Sequence, residues 1–228
     1  MSDLPLSIKI PLMVVALLIS IIGHEIMHGF IAYKYGDNTA KNAGRLNINP
    51  LLHIDLLGSI IIPTLLFLLN APFLFGWAKP VPVRTDIVIQ NGGYMGAFNV
   101  SIAGVSYNFL LAILSAMLIF AFDGGIFSNF FSYFDNPHFI LEIILFFLLQ
   151  LLIYNVVLGV FNSFIIPPLD GANALAYLGL VFKNDFFARL FNKIHPAFGM
   201  VLMIVIISTP LSILLTAPVN KIIGLLLH

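Results

Sequence analysis

The residues best suited to chemistry lie in one short stretch, His24-Glu25-Ile26-Met27-His28, which has the pattern H-E-x-x-H. Residues four apart lie on the same face of a helix, so both imidazoles can reach one ion. Glu25 projects beside them, where its carboxylate can take a proton from a metal-bound water. The metal lowers the pKa of that water from about 15.7 towards 7. The spacing therefore predicts a zinc-hydrolase site with His24 and His28 as ligands and Glu25 as the base.

The surroundings of this motif argue against a chance match. We estimate roughly 0.001 random occurrences of H-E-x-x-H in a chain with this many His and Glu residues. The stretch around it, from Ile10 to Tyr33, is otherwise almost entirely apolar. A charged side chain at the centre of a bilayer costs about 2.5–3.5 kcal/mol even on the lenient insertion scale. A cluster of ionisable groups in such a run therefore indicates a bound partner, for which a metal ion is the simplest choice.

A catalytic zinc usually has three protein ligands and one position left for water. Four acidic or histidine residues elsewhere in the apolar chain could be the third ligand: His53, Asp55, Glu142 and Asp170. Asp170 follows Pro167 and Pro168, which break a helix because proline lacks an amide donor. Irregular backbone at membrane depth survives where it is buried in protein or lines a water-filled cavity, so Asp170 is well placed to face a metal. The residues alone do not separate Asp170 from His53 and Asp55.

The composition places these motifs in a membrane protein. The chain has 228 residues, of which 60% are hydrophobic and 9% are charged, whereas a soluble domain has about 25% charged residues. Ten basic and ten acidic residues cancel, so no charged face indicates nucleic acid. The absence of cysteine excludes disulfides and thiolate metal sites. The N-terminal apolar run has no small-residue cleavage site, so we expect a retained span rather than a signal peptide.

The apolar stretches predict an all-α polytopic membrane protein. A crossing helix needs about 20 mostly apolar residues, and the chain has about six hydrophobic segments around the predicted intramembrane zinc site: Ile10–Tyr33, Leu56–Phe75, Ala97–Phe122, Phe139–Ile166, a weak piece from Leu169 to Phe182, and Pro196–Thr216. The short tail Asn220–His228 cannot cross alone. Leu56–Phe75 contains two prolines and either crosses or dips into the membrane. We divide the chain into a protease core, 1–182, and a C-terminal membrane segment of unassigned role, 183–228.

Two connectors between these segments have the pattern of short strands. Gly76–Ile89 alternates apolar residues with polar ones and prolines, and Ala43–Pro50 is similarly extended. We expect short membrane-associated β-strands here. The free edge of Val81–Ile89 could pair with an extended substrate by β-augmentation. An ordinary amphipathic loop explains the same pattern.

The motifs together resemble a known family. H-E-I-M-H in the first span, with N-S-F-I-I-P-P-L-D-G from Asn162 to Gly171, closely resembles the site-2 protease family of intramembrane zinc metalloproteases. The stretch G-W-A-K-P-V-P-V, Gly76–Val83, is similar to the compact subgroup that lacks a PDZ domain. Ile165 and Val105 stand where that family often has proline. The second of these lies in A-G-V-S-Y-N, Ala103–Asn108, whose final residue is either a helix-packing amide or a polar group behind the site.

This resemblance implies roles for five residues. One zinc ion would be bound by His24, His28 and Asp170, and Glu25 would be the catalytic base. Asn162, eight positions before Asp170, would help to hold the substrate backbone near the zinc.

The implied function is hydrolysis of peptide bonds within or next to transmembrane segments. The protein would be a multi-pass protein of the cell membrane, in bacteria the inner membrane, with a transmembrane protein substrate and membrane lipid as its partners. A transporter of zinc or another divalent metal is an alternative, but it would spread polar ligands along a pathway and would have no need of Glu25. A further alternative is an unrelated membrane zinc protease with Glu142 as its third ligand, and another is an inactive scaffold.

Overall fold

The computed structural model describes residues 4–61, 64, 65, 68, 78–124 and 136–228. Throughout these ranges the regular structure is helical, and no strand occurs in them. The helices are α1 (Leu6–Lys34), α2 (Thr39–Asn42), α3 (Thr85–Asp123), α4 (Pro137–Asn162), α5 (Asp170–Val181), α6 (Phe186–Phe191), α7 (Pro196–Ser208) and α8 (Ile213–Leu227), with shorter turns at Pro50–His53, Leu56–Ile61 and Pro210–Ser212.

Four helices of the described chain are long and apolar enough to cross a membrane. They are α1, α3, α4 and the last one, in which the turn at Pro210 continues into α8 as far as Leu227. The 13-residue α7 is also apolar but is shorter. These helices indicate a membrane protein and confirm the prediction of a helical fold. The predicted segment Leu56–Phe75 lies largely outside the described residues beyond its first turn, Leu56–Ile61.

The predicted span Pro196–Thr216 is wrong, because the chain breaks inside it. Thr209 has extended backbone angles, φ −119° and ψ 172°, and separates α7 from the turn that begins at Pro210. The residue before a proline is disfavoured in the helical region, and the proline itself donates no helical hydrogen bond. The residues expected to be a separate tail, 220–228, consequently form the second half of α8 as far as Leu227.

The predicted strands are also wrong in the part of the chain that the structure describes. Residues 78–84 have no regular secondary structure, and Thr85 begins α3, so the second half of Val81–Ile89 is helical. Val88 is fully buried against Ala32 and Val100, a contact that the helical conformation provides. The connector expected to be extended from Ala43 to Pro50 likewise contains no strand and leads into the short turn Pro50–His53.

Side chains take the place of a partner strand along residues 78–84, which we call the connecting strip. The Val81 amide donates to Glu25 Oε2 over 3.0 Å, and the Arg84 amide donates to Asp37 Oδ2 over 2.6 Å. Arg45 Nη2 donates to the Lys79 carbonyl over 2.7 Å. Because these main-chain groups already have partners, the strip lies beside α1 without forming a sheet.

Helix α3 is the centre of the bundle and packs against α1, α4 and α5, while α4 also packs against α1 and α8. Small residues make this close packing possible: Ala112 and Ala116 of α3 meet Leu152 and Val156 of α4 in the core. The predicted proline break is present, since α4 ends at Asn162 and α5 begins at Asp170. This break brings the start of α5 to the middle of the bundle.

Candidate metal centre

Three side chains from two helices meet at one point. His24 and His28 lie one turn apart on α1, and Asp170 is the first residue of α5. The two Nε2 atoms are 3.2 Å apart, and Asp170 Oδ2 lies 3.1 Å from each of them. Around a tetrahedral zinc ion with bonds of about 2.0–2.2 Å, neighbouring ligand atoms are about 3.3 Å apart. The triangle of atoms therefore has the size of one face of a zinc coordination tetrahedron.

The other nitrogen of each ring shows where its proton lies. His28 Nδ1 is 2.7 Å from the Val100 carbonyl oxygen, and His24 Nδ1 is 2.6 Å from Asn108 Oδ1. Such oxygens only accept, so Nδ1 donates in both rings, and in a neutral imidazole Nε2 then carries a lone pair. Asp170 Oδ2 is itself buried and has no hydrogen-bond partner among the described residues. Three electron-rich atoms thus face one another, and a cation between them would relieve their repulsion.

A glycine of α3 makes room for the two rings. A Cβ atom at Gly104 would lie 2.5 Å from Nε2 of both His24 and His28. No side chain other than hydrogen fits there without displacing the ligand atoms. The glycine therefore belongs to the site although it has no chemistry of its own.

All five residues implied by the resemblance line one cavity of about 620 Å³: His24, Glu25, His28, Asn162 and Asp170. Two methionines of α7, Met200 and Met203, line the same cavity. The side-chain Nδ2 of Asn162 donates to the Leu158 carbonyl over 3.1 Å. The base candidate, the ligand candidates and a substrate-sized space thus occur together.

The two histidines lie within α1, which is long and apolar enough to cross a membrane, and they are nearer to its C-terminal end. His24 and His28 come ten and six residues before Lys34, the last residue of α1. These separations correspond to about 15 Å and about 9 Å along the helix axis. Both candidate ligands therefore lie closer to the Lys34 end of α1 than to its beginning at Leu6.

Comparison with known proteins agrees with this chemistry. A protein of Bacillus subtilis (strain 168) named "Putative zinc metalloprotease YwhC" is 36% identical over an alignment of 178 residues, and the alignment covers 73% of this chain and 68% of that protein. The chain belongs to this family of zinc metalloproteases. No protein-family model and no solved structure matches it. A metalloprotease relative does not favour the transporter alternative.

Two of the other candidates for the third ligand make hydrogen bonds away from the cluster. His53 Nε2 is 2.8 Å from the Asn47 carbonyl, and Asp55 Oδ1 accepts from the Gly58 amide over 2.7 Å. Within the described residues, the cluster able to hold a metal consists of His24, His28 and Asp170. His53, Asp55 and Glu142 do not belong to that cluster.

Sequence reasoning missed two groups that support the ligands. One is the Val100 carbonyl that accepts from His28, which leaves no signal in the sequence because any residue has a carbonyl. The other is Asn155, a fully buried amide in α4 that bonds to Asn108. Its signal was present, because a polar residue inside an apolar run is costly and indicates a partner.

Proposed function

We propose that this chain is an intramembrane protease of the site-2 type that hydrolyses peptide bonds within or next to transmembrane segments. The observation that carries the proposal is the zinc-sized triangle of His24, His28 and Asp170. Glu25 lines the same cavity, and the two histidines lie on a helix long and apolar enough to cross a membrane. The Gly76–Val83 motif supports assignment to the compact subgroup. The protein would be a multi-pass protein of a bacterial inner membrane.

The chain supplies the ligands and the base of the reaction. His24, His28 and Asp170 would hold the zinc ion, and Glu25 would move the protons. The chemistry that zinc supplies when bound is polarisation of the scissile carbonyl and a lower pKa for water. Glu25 takes a proton from the attacking water and then donates it to the leaving amine. Because Glu25 Oε2 accepts the Val81 amide, we assign the proton transfers to Oε1.

The substrate must be extended where it is cut, because a helix hides its amides in its own hydrogen bonds. Asn162 lines the cavity and is our candidate for holding the unwound backbone of the substrate. The connecting strip lines the same cavity through Val81 and Val83. We propose that the substrate lies between the strip and Asn162, with its scissile bond at the triangle.

The decisive experiment measures cleavage of a tagged single-span substrate in proteoliposomes together with bound zinc. In Glu25→Gln, cleavage should fall by about 10²–10⁴-fold, the usual contribution of a general base, while zinc is retained. Asp170→Asn should lose both cleavage and bound zinc. Glu142→Gln is the matched control, because it removes a glutamate outside the cluster, and it should cleave normally.

Two results would overturn the proposal. Unchanged cleavage by Glu25→Gln would remove the base from the mechanism. Zinc flux into the liposomes without cleavage of any single-span substrate would favour the transporter instead.

A further inference from the structure

We infer that Asn155 and Ser20, which do not touch the three candidate ligand atoms, are positioning residues for the metal. With Asn108 they form a buried chain of hydrogen bonds that holds His24 in one orientation and one tautomer. The inference rests on the proposed metal site and adds to it a part that lies behind the ligands, between α1, α3 and α4.

The chain of hydrogen bonds is continuous and fully enclosed. Asn108 Oδ1 is 2.6 Å from His24 Nδ1, and Asn108 Nδ2 donates to Asn155 Oδ1 over 2.8 Å and to the Ser20 carbonyl over 3.2 Å. Asn155 Nδ2 donates to Ser20 Oγ over 2.7 Å and to the Leu151 carbonyl over 2.7 Å. Ser20 Oγ donates to the Ala16 carbonyl over 2.7 Å. Ser20, Asn108 and Asn155 are each 0% exposed.

Main-chain carbonyls allow only one arrangement of protons in this chain of hydrogen bonds. The Leu151 carbonyl can only accept, so the nitrogen of Asn155 must face it, and the oxygen of Asn155 then faces Asn108. The Ser20 carbonyl likewise accepts from the nitrogen of Asn108. A flip of either amide would bring two acceptors together in a buried place, which costs about 1–3 kcal/mol for each unsatisfied group.

This fixed arrangement decides the state of His24. With its nitrogen committed to two acceptors, Asn108 presents only its oxygen to His24, so Nδ1 must carry the proton. The lone pair of Nε2 is thereby directed at His28 and Asp170. His28 reaches the same state through a main-chain carbonyl. The state of His24 thus depends on side chains, which substitution can change.

The first experiment measures zinc affinity of the purified full chain by competition with a chromogenic chelator. Loss of partners behind a metal-binding histidine typically weakens binding by 10–100-fold. We expect a loss of that size in Asn108→Leu and about tenfold in Asn155→Leu. The double variant should match Asn108→Leu, because Asn155 acts only through Asn108. Ser115→Ala is the control: Ser115 is also fully buried on α3, but its hydroxyl donates to the Leu111 carbonyl of the same helix, so zinc affinity should not change.

Two milder variants keep the test informative if the leucine variants fold poorly. Ser20→Ala removes one hydroxyl and should weaken zinc binding several-fold. Asn108→Asp keeps an acceptor towards Nδ1 and should bind zinc more tightly than Asn108→Leu. In zinc-free protein, ¹⁵N NMR of labelled histidine should show a single Nδ1–H tautomer for His24 in the wild type and a mixture of tautomers in Asn155→Leu.

The outcomes separate this inference from the proposed function. Wild-type zinc affinity in both leucine variants, or additive losses in the double variant, would overturn the positioning role while leaving proteolysis untouched. If the variants show the expected pattern of zinc affinities but the wild type cleaves no single-span substrate, the positioning role stands and the proposed protease function is rejected.

Discussion

Each candidate histidine ligand donates a hydrogen bond from Nδ1 to an oxygen and directs Nε2 at the centre of the site. At this scale, the space around the two Nε2 atoms matters as much as their chemistry. That space depends on Gly104, where the backbone of α3 passes directly over the rings. A single added methyl group therefore tests whether the triangle must keep its dimensions.

Gly104→Ala should lose zinc. Its Cβ would lie 2.5 Å from both Nε2 atoms, closer than real carbon atoms approach, so at least one ring must move. We expect zinc affinity to fall by at least the 10–100-fold typical of a disturbed ligand shell, measured by chelator competition.

Gly224→Ala is the matched control for this substitution. Gly224 lies in α8 with nothing within 4 Å of its added Cβ. Alanine should leave zinc affinity unchanged and, by its helix propensity, stabilise α8 by up to about 1 kcal/mol. Equal zinc affinities in the two alanine variants would show that the rings do not need the space at Gly104.

The residues of the site were predictable to different degrees. The four-residue spacing of His24 and His28 predicts two ligands on one helical face, which the structure brings together. Asp170 was preferred through the family resemblance, because an aspartate after a proline break looks locally much like His53 or Asp55. Asn155 was not identified, since a single asparagine in an apolar run does not reveal which helix it will face.

At the scale of elements, the connecting strip is held by side chains rather than by a sheet. Alternating Val81, Val83, Ile87 and Ile89 predicted one strand, yet the second half begins α3. Local alternation could not reveal that burial of Val88 against α1 favours the helix, or that Glu25 and Asp37 satisfy the amides of the strip. Pro210, by contrast, is a local signal for the break between α7 and α8. The prediction overlooked it because the residues on both sides are apolar.

Asp37 should make the attachment of the strip dependent on pH. Burial opposes its ionisation, but hydrogen bonds from Thr39 and from the Arg84 amide outweigh this and lower the pKa of Asp37 below its usual value. A lowered pKa stabilises the fold above the unfolded value of about 3.9, and this stability is lost as the pH falls through the folded value. Asp37→Asn should therefore lower the free energy of unfolding by about 1–3 kcal/mol at pH 7.

Thermal unfolding in detergent, followed by circular dichroism at several pH values, measures this effect. The difference in Tm between wild type and Asp37→Asn should be largest at neutral pH and shrink as the pH falls below about 4. Asp185→Asn removes a carboxylate whose ion pair with Arg189 is exposed, so it should change Tm little. A difference for Asp37→Asn that stays constant down to pH 2 would contradict the electrostatic explanation.

At the scale of the whole molecule, the candidate ligands join the first helix to α5 across the central α3. The residues concerned are 24, 28 and 170, so a bound metal closes a loop that contains most of the chain. A ligand that binds only the folded state stabilises it by about 2.7 kcal/mol at a concentration one hundred times its Kd. Zinc should therefore stabilise the bundle as a unit.

Removal of zinc should consequently lower the Tm of the whole bundle. We expect a chelator to reduce the Tm of the wild type by several degrees, and added zinc to restore it, because the folded chain alone assembles the three ligands. In Asp170→Asn, which keeps all the packing but loses one ligand, the Tm should respond to neither addition. Asp185→Asn, which removes an exposed carboxylate outside the cluster, should respond as the wild type does. A Tm that falls on chelation in Asp170→Asn as much as in the wild type would mean that zinc stabilises this protein from some other place.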